Sequence, residues 1–600
     1  MPSQDAAAMA QQWLSAFDDA LANEDFAHAA SLFHEGGFWR DLASLTWNIY
    51  TAEGRREIES MLGANAPRMR PANWRMTKAD IESNGDVLAL LAFDSAVGAA
   101  RGRLVLRDGR AWVLFTALVE LNGFEEQTAA NGNREQGVRH GAQRHRKSWL
   151  KRKQDTEAAL GYSEQPYCVI VGGGQGGLGL AARLKRLNVP TIVVEKNEKA
   201  GDSWRNRYQT LCLHDPVQYD HLPYIPFPEH WPVFSPKDKL GDWLEMYAKV
   251  MELNFWGSTL CLGAQFDETS GRWDVRVERD GVPITLRPAQ LVLATGMSGF
   301  PNVPDVPGAD SFAGEIMHSS DYRSGERYAN KACVVIGSNT SGHDIAADLW
   351  ECDAHVTMVQ RSPTIVVRSE TMSTLAWSHL YSDDAVASGL RTEEADLIGA
   401  STPFKLTPDR LRPLNEEIQK RDADLYAGLS AVGFDFDFGE DGTGIGGAYP
   451  RRGGGYYIEV GASQMLIEGK IALRSRVGLE RIRADGIELS DGSFLPADLI
   501  VFATGYGPMN QWAEKLISTD VARKVGRCWG LGSGAKGDPG PWEGELRNMW
   551  KPTQQKGLWF HGGNLMQSRF YSRILALQIK ARLEGLETPV YGMPVVHHAM

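Results

Sequence analysis

An apolar run, Tyr167-Cys168-Val169-Ile170-Val171, opens directly into Gly172-Gly173-Gly174-Gln175-Gly176-Gly177. A related arrangement returns at Val334-Val335-Ile336, followed by Gly337-Ser338-Asn339-Thr340-Ser341-Gly342. Each places glycines between a strand-like run and an Ala/Leu-rich, helix-like one. Backbone amides at the start of such a helix hold a pyrophosphate, so each segment reads as strand, tight turn and dinucleotide-binding helix. One GxGxxG-like stretch constrains little. Two in one chain predict two nucleotides bound side by side, with electrons passing between them.

The first motif fills all three glycine positions with Gly172, Gly174 and Gly177. The strand-like Thr191-Ile192-Val193-Val194 then ends at Glu195, with Lys196 beside it. An acid there binds ribose hydroxyls, and the combination reads as the ADP half of FAD. The second motif has Asn339 where a middle glycine is expected; Asn tolerates left-handed φ and its amide can donate to a phosphate. Its following strand, Val356-Thr357-Met358-Val359, ends at Gln360-Arg361-Ser362 with no acid. An arginine in that place fits a 2′-phosphate and points to NADPH over NADH.

From Pro166 onward, strand and helix patterns alternate as in a doubly wound α/β fold. The second motif starts well inside this region, and a third apolar run, Leu499-Ile500-Val501-Phe502, comes late. The order expected is a Rossmann-like FAD domain, first part, over 165–325; an inserted NADP domain over 326–497; and the returning FAD part over 498–600.

Residues 1–127 read as a separate α+β unit. Trp13, Phe17 and Leu21 fall at helical spacing, and Phe26, Ala30 and Phe33 suggest a second helix. Strand-like runs follow at 87–93, 103–106 and 112–121, with Asp108-Gly109 as a hairpin turn. Helices followed by curved antiparallel strands resemble the NTF2-like (SnoaL-like) cone fold. Residues 128–164 form a polar stretch with Arg134, Arg139, Arg144, Arg146, Lys147, Lys151, Arg152 and Lys153, read as a solvated basic linker.

The chain of 600 residues carries a net charge of −12, which argues against a nucleic-acid partner. Its six cysteines include no CxxC pair, which excludes common zinc spacings and the dithiol of a flavin disulfide reductase. No metal site is expected. The Met1-Pro2-Ser3 start has no secretory pattern, and no apolar stretch is long enough to span a bilayer, so a cytoplasmic protein without a membrane partner is expected.

Between the motifs lies Phe312-Ala313-Gly314-Glu315-Ile316-Met317-His318-Ser319-Ser320-Asp321-Tyr322. This segment resembles the class B flavin-dependent monooxygenases, whose signature is FxGxxxHxxx(Y/F). Tyr322 favours the flavin-containing monooxygenase branch over Baeyer–Villiger relatives, which carry Trp there. The resemblance assigns His318 to a domain junction and cofactor site. Ala294-Thr295-Gly296 and Ala503-Thr504-Gly505-Tyr506 resemble the family's two return strands. Gly201-Asp202-Ser203-Trp204, then 208–214, resemble its flavin-covering segment, most like that of YUCCA-type indole-3-pyruvate monooxygenases. His214 stands where animal-type relatives have Asn, and is the candidate catalytic residue. Gly562-Gly563-Asn564 precedes a late helix whose N-terminus is expected to face the flavin ring, with Arg569 and Arg573 as candidate charges beside it.

The resemblance implies a monooxygenase using FAD, NADPH and O2 that oxygenates a small organic substrate through a C4a-(hydro)peroxyflavin. The substrate would be a nitrogen or sulfur nucleophile or a 2-oxo acid. An NADPH oxidase or reductase without oxygen transfer, and a Baeyer–Villiger enzyme, are the alternatives. The N-terminal unit could act as a ligand sensor, a lid or the seat of a homodimer.

Overall fold

The structure is a computed structural model that describes residues 2–134, 137 and 140–597. Met1, Arg139 of the basic stretch and the terminal His598, Ala599 and Met600 lie outside the described residues.

The N-terminal unit begins with helices Pro2–Ala22 and Phe26–Ser31, the second capped by Asp25, whose carboxylate accepts from the His28 amide at 2.9 Å. Three of the apolar residues picked out by helical spacing do face inward: Trp13, Phe17 and Leu21 are buried. Phe33 departs from that grouping. It opens the strand Phe33–Leu42, yet still packs edge-on to Trp13 and Phe17, so its apolar character reflects the shared core and not a helix. The strands form one six-stranded sheet. Phe33–Leu42 runs parallel to Arg110–Leu118 and antiparallel to Ile49–Glu53, while Ala72–Ile81, Val87–Asp94 and Ala99–Arg107 continue it antiparallel. The turn at Asp108 and Gly109 has φ of 49° and 73°, both left-handed, as a tight hairpin requires. Helix Trp149–Ala159 interrupts the basic stretch; Ser148 caps it, accepting from the Lys151 amide at 3.1 Å.

The remainder is built on two parallel five-stranded sheets. In the first, Cys168–Val171 is central, flanked by Thr191–Val194 and Gln290–Leu293, with Phe255–Trp256 and Leu558–Phe560 at the edges. The second has the order Glu315–His318, Leu499–Phe502, Ala332–Ile336, His355–Gln360 and Ala472–Ser475. Strands buried on both faces read as unbroken apolar runs, which is why Val169–Val171 and Leu499–Phe502 show no alternation. That uniformity also hides which sheet a strand joins. Glu315–His318 and Leu499–Phe502, expected within the first and returning FAD parts, both pair in the second sheet. The chain crosses between sheets through the antiparallel pair Ser298–Pro301 and Tyr506–Pro508.

The N-terminal unit is fused to this body by packing and by charge. Trp47, Phe115 and Leu121 share one buried apolar cluster with Leu184, Leu575 and Trp550. Arg40 grips Glu545 through one edge of its guanidinium, Nε and Nη2, at 2.6 and 2.7 Å, and the pair is only 2–3% exposed. Thr51 adds a third bond to the same carboxylate at 2.7 Å.

Candidate active site

The first glycine motif sits where the sequence places it, between Cys168–Val171 and the helix Gln175–Arg186. Gly172 has φ of 112°, and a β-carbon there would lie 2.3 Å from the Ala294 carbonyl oxygen. A β-carbon at Gly177 would lie 1.9 Å from the Gly172 carbonyl oxygen, so only glycine lets helix and strand close together. Gly174 differs: the nearest atom to a β-carbon there is Ser203 Oγ at 3.7 Å, and the space beyond belongs to a cavity. Glu195, at the end of Thr191–Val194, accepts from the Gly173 amide at 2.6 Å and from Asn197 at 2.7 and 2.9 Å. Its carboxylate is thereby fixed at the cavity wall.

That cavity measures about 1130 Å³. It brings together Gly172, Gly174, Gln175, Gly176, Glu195, Lys196, Ser203, Trp204, His214, Thr295, Gly296, Gly563 and Asn564. Gln175 crosses it, accepting from Trp204 Nε1 and donating to the Gly563 carbonyl, each at 3.3 Å. Gly173 and Gly177 stand behind the wall. The late helix is Leu565–Leu583, and Asn564 and Gln567 form a reciprocal capping box at its start. Asn564 also donates to the Tyr219 hydroxyl at 3.0 Å, tying this helix to the short helix Val217–Asp220 that follows the covering segment. The helix N-terminus therefore opens on the cavity, where its dipole favours negative charge.

The second motif repeats the geometry of the first. Gly337 has φ of 120° and a β-carbon there would lie 2.3 Å from the Ala503 carbonyl oxygen; at Gly342 it would lie 2.2 Å from the Gly337 oxygen. Asn339 needs no left-handed conformation. Its φ of −90° and ψ of −171° nearly match −77° and −171° at Gly174, so a side chain is admitted without backbone strain. Ser338 is locked to Thr364 at 2.8 Å, and Thr340 donates to the Tyr456 carbonyl at 3.0 Å. Tyr456 lines the large cavity, whereas 337–342 do not: the second motif lies one strand behind it. Arg361 and Ser362 follow His355–Gln360, with Arg361 exposed and without a hydrogen-bond or ion-pair partner among the described residues.

His318, Thr504 and Gly505 lie at the crossing between sheets. The Ser320 amide donates to His318 Nδ1 at 3.1 Å, which leaves Nε2 to carry the proton toward the Gly505 carbonyl at 3.0 Å. With both nitrogens engaged and the ring buried, burial lowers its pKa and it acts as a fastener. Thr504 donates to the Asn302 carbonyl across the same junction. Arg569 and Arg573 do not serve the cavity. Arg569 is consumed by Asp396, at 2.7 and 2.8 Å, and by the carbonyls of Tyr219 and His221. Arg573 faces a different cavity.

Several wall residues escaped sequence reading. His561 is fully buried with its ring against Gly176, and neither ring nitrogen has a hydrogen-bond partner of good geometry among the described residues; burial lowers its pKa to about 3, so it is neutral. Thr295, already assigned to the cofactor site by sequence, has its Oγ1 buried without a partner among the described residues. Such orphaned groups are costly unless a bound molecule completes them. Asp215, next to His214 in the wall, has a carboxyl pushed up by burial, with His214 opposing the shift. Position beside a motif was the only available signal: Asp215 follows His214, and His561 precedes the glycine pair. The open cradle at Gly174, the fixed Glu195 and the orphaned His561 and Thr295 fit a flavin dinucleotide.

Two parallel sheets, each with a glycine cradle at a helix start, define a two-dinucleotide-binding oxidoreductase. The family model for pyridine nucleotide-disulphide oxidoreductases matches residues 169–379. The chain is 31% identical over 352 residues to probable indole-3-pyruvate monooxygenase YUCCA8 of Arabidopsis thaliana, covering 56% of this chain and 74% of that one. It is also 31% identical over 351 residues to indole-3-pyruvate monooxygenase YUCCA1 of Oryza sativa subsp. japonica, covering 57% and 77%. Among solved structures, ε-caprolactone-bound cyclohexanone monooxygenase superposes with a TM-score of 0.50 at 16% identity, over 70% of this chain and 88% of that one, a likeness of fold. The chain belongs to the flavin-dependent monooxygenase family. It is an oxidoreductase and a flavoprotein. Among the described residues, no helix is long and apolar enough to cross a membrane.

Proposed function

We propose that the first motif holds FAD, the second holds NADPH, and the remainder of the large cavity takes a small organic substrate, a nitrogen or sulfur nucleophile or a 2-oxo acid, for oxygenation. The carrying observation is the single cavity of about 1130 Å³ in which the first motif, the covering segment and the N-terminus of Leu565–Leu583 meet. When bound, FAD supplies the redox chemistry, accepting reducing equivalents from NADPH and activating dioxygen. The protein's part is positioning and electrostatics. Glu195 orients the adenosine ribose, and the amides opening Gln175–Arg186 take the pyrophosphate. Trp204 and Tyr219 cover the site, limiting water. Neutral His561 and Thr295 supply hydrogen-bonding atoms at the deep wall. His214, half-buried beside Asp215, is the candidate to steady the oxygenating step. Exposed Arg361 reads the 2′-phosphate of NADPH.

The N-terminal unit is NTF2-like on this reading, supported by its helices preceding a six-stranded sheet with one parallel pair. Its charge-locked, apolar attachment through Arg40 and Glu545 supports a structural role over a moving lid. The test is His214→Ala against His214→Asn. The first should divert NADPH electrons from product to hydrogen peroxide, and the second should be milder. Unchanged partitioning in both variants would remove His214 from the oxygenating step.

A further inference from the structure

A second cavity, of about 200 Å³, lies where the N-terminal unit meets the flavoprotein body. Three arginines converge on it from three elements: Arg101 from strand Ala99–Arg107, Arg183 from the first-motif helix and Arg573 from Leu565–Leu583. Arg183 is 6% exposed and lies over the Tyr224 ring at 4.5 Å, and its Nε is buried without a hydrogen-bond partner among the described residues. Its nearest carboxylate, Glu126, stands 3.8 Å away and is already bonded to the Tyr224 hydroxyl at 2.6 Å. Arg573 has no hydrogen-bond or ion-pair partner among the described residues. Burial, then the charge of Arg183, lowers its pKa to about 10, which leaves it cationic at neutral pH. Arg101 is exposed and equally unpartnered among the described residues. The other carboxylate in the wall, Glu120, accepts from Asn131 at 2.7 Å.

Three guanidinium groups thus face two carboxylates, Glu126 pairing loosely with Arg183 at 3.8 Å, which leaves the cavity wall with a net positive charge. A half-buried guanidinium with no direct partner among the described residues, such as Arg573, is incompletely satisfied, and the planar fork of arginine matches carboxylate and phosphate oxygens. We propose that this cavity binds a small oxyanion, a phosphate or a short dicarboxylate, between the N-terminal unit and the flavoprotein body. Its volume is less than a fifth of the large cavity's, too small for a dinucleotide. The anion bridges the N-terminal sheet to the two helices whose starts open on the flavin cavity, so it tightens the attachment of the N-terminal unit.

The probes are inorganic phosphate and malonate, titrated into full-length FAD-loaded protein against sodium chloride of equal ionic strength. Thermal midpoint and calorimetric binding are the readouts. Saturable stabilisation by either probe is expected, and phosphate-only or malonate-only saturation identifies the source. Arg573→Gln should weaken binding by about tenfold or more, as loss of a charge-assisted hydrogen bond implies. Exposed Arg101→Gln, whose folding is not at stake, should weaken it by about threefold or more on the same grounds. Arg361→Ala should leave it unchanged, and FAD content should stay constant throughout. Equal stabilisation by chloride, or wild-type binding in both Arg573→Gln and Arg101→Gln, overturns the proposal. Loss of binding in Arg361→Ala alone would place the anion at the NADPH cradle instead.

Discussion

Gly174 offers the cleanest perturbation of the flavin site. Its backbone is extended and suits any residue, and only Ser203 Oγ, at 3.7 Å, approaches its β-carbon direction. Gly174→Val should therefore fold, fill the space over the helix start, and purify with little FAD; full FAD content would show that the pyrophosphate lies elsewhere. Arg361→Ala tests the second cradle. A hydrogen bond to a charged group contributes roughly 1.5–3 kcal/mol, so the NADPH-over-NADH preference should fall by about tenfold or more, with NADH turnover retained. Asp344, in the second-motif helix, has a pKa raised from 3.8 to about 6, mainly by burial, despite a 2.6 Å bond from Tyr208. The folded state then holds a proton that the unfolded state has released between those values, so stability declines as pH rises from about 4 to 6. Asp344→Asn keeps the Tyr208 bond and should flatten that decline, a change of about 1–3 kcal/mol measured by urea unfolding across this pH range. At this scale the sequence exposes residues that sit inside a spacing rule, such as Glu195 and Gly177. It does not expose His561 or Asp215, whose meaning comes from the packed cavity; Thr295 is legible from the return-strand resemblance, but its unpaired hydroxyl is not.

Among the elements, the helix Leu565–Leu583 carries most of the connection between cofactor site and scaffold. Its capping box and the Asn564–Tyr219 bond act at one residue, so Asn564→Ala should cost about 1 kcal/mol, read as a lower urea midpoint, and should also loosen FAD retention. Loss of stability with undiminished FAD affinity would mean the cap serves the helix alone. The strands show where sequence reading stops. Glycine turns mark Cys168–Val171 and Ala332–Ile336 because turn chemistry is local. Leu499–Phe502 is equally apolar, yet nothing within it says that its neighbours are Glu315–His318 and Ala332–Ile336, since a doubly buried strand exposes no face to set partner or register. Asn339 shows the converse: a departure from the glycine pattern left the backbone geometry intact, because that position never required positive φ.

Over the whole molecule, one buried apolar cluster crosses the junction of the N-terminal unit and the flavoprotein body, while the N-terminal unit also keeps a core of its own. Arg40→Met would strand the Glu545 carboxylate, which is 2% exposed, and should cost about 3–5 kcal/mol of stability. Adding Glu545→Gln removes the stranded charge and should recover part of the loss; no recovery would show that Arg40 acts chiefly by packing. Sequence separation explains why this attachment was illegible: the partners lie 505 residues apart, and neither belongs to a motif. What the family assignment and the shared cavity jointly claim is oxygen transfer, and the direct measurement is a turnover balance under ¹⁸O₂. With NADPH and a panel of 2-oxo acids, amines and sulfides, at least one substrate should gain a single ¹⁸O atom, with NADPH consumed near one per product and little hydrogen peroxide. Peroxide matching NADPH consumption with every substrate, and no ¹⁸O in any product, would contradict the account.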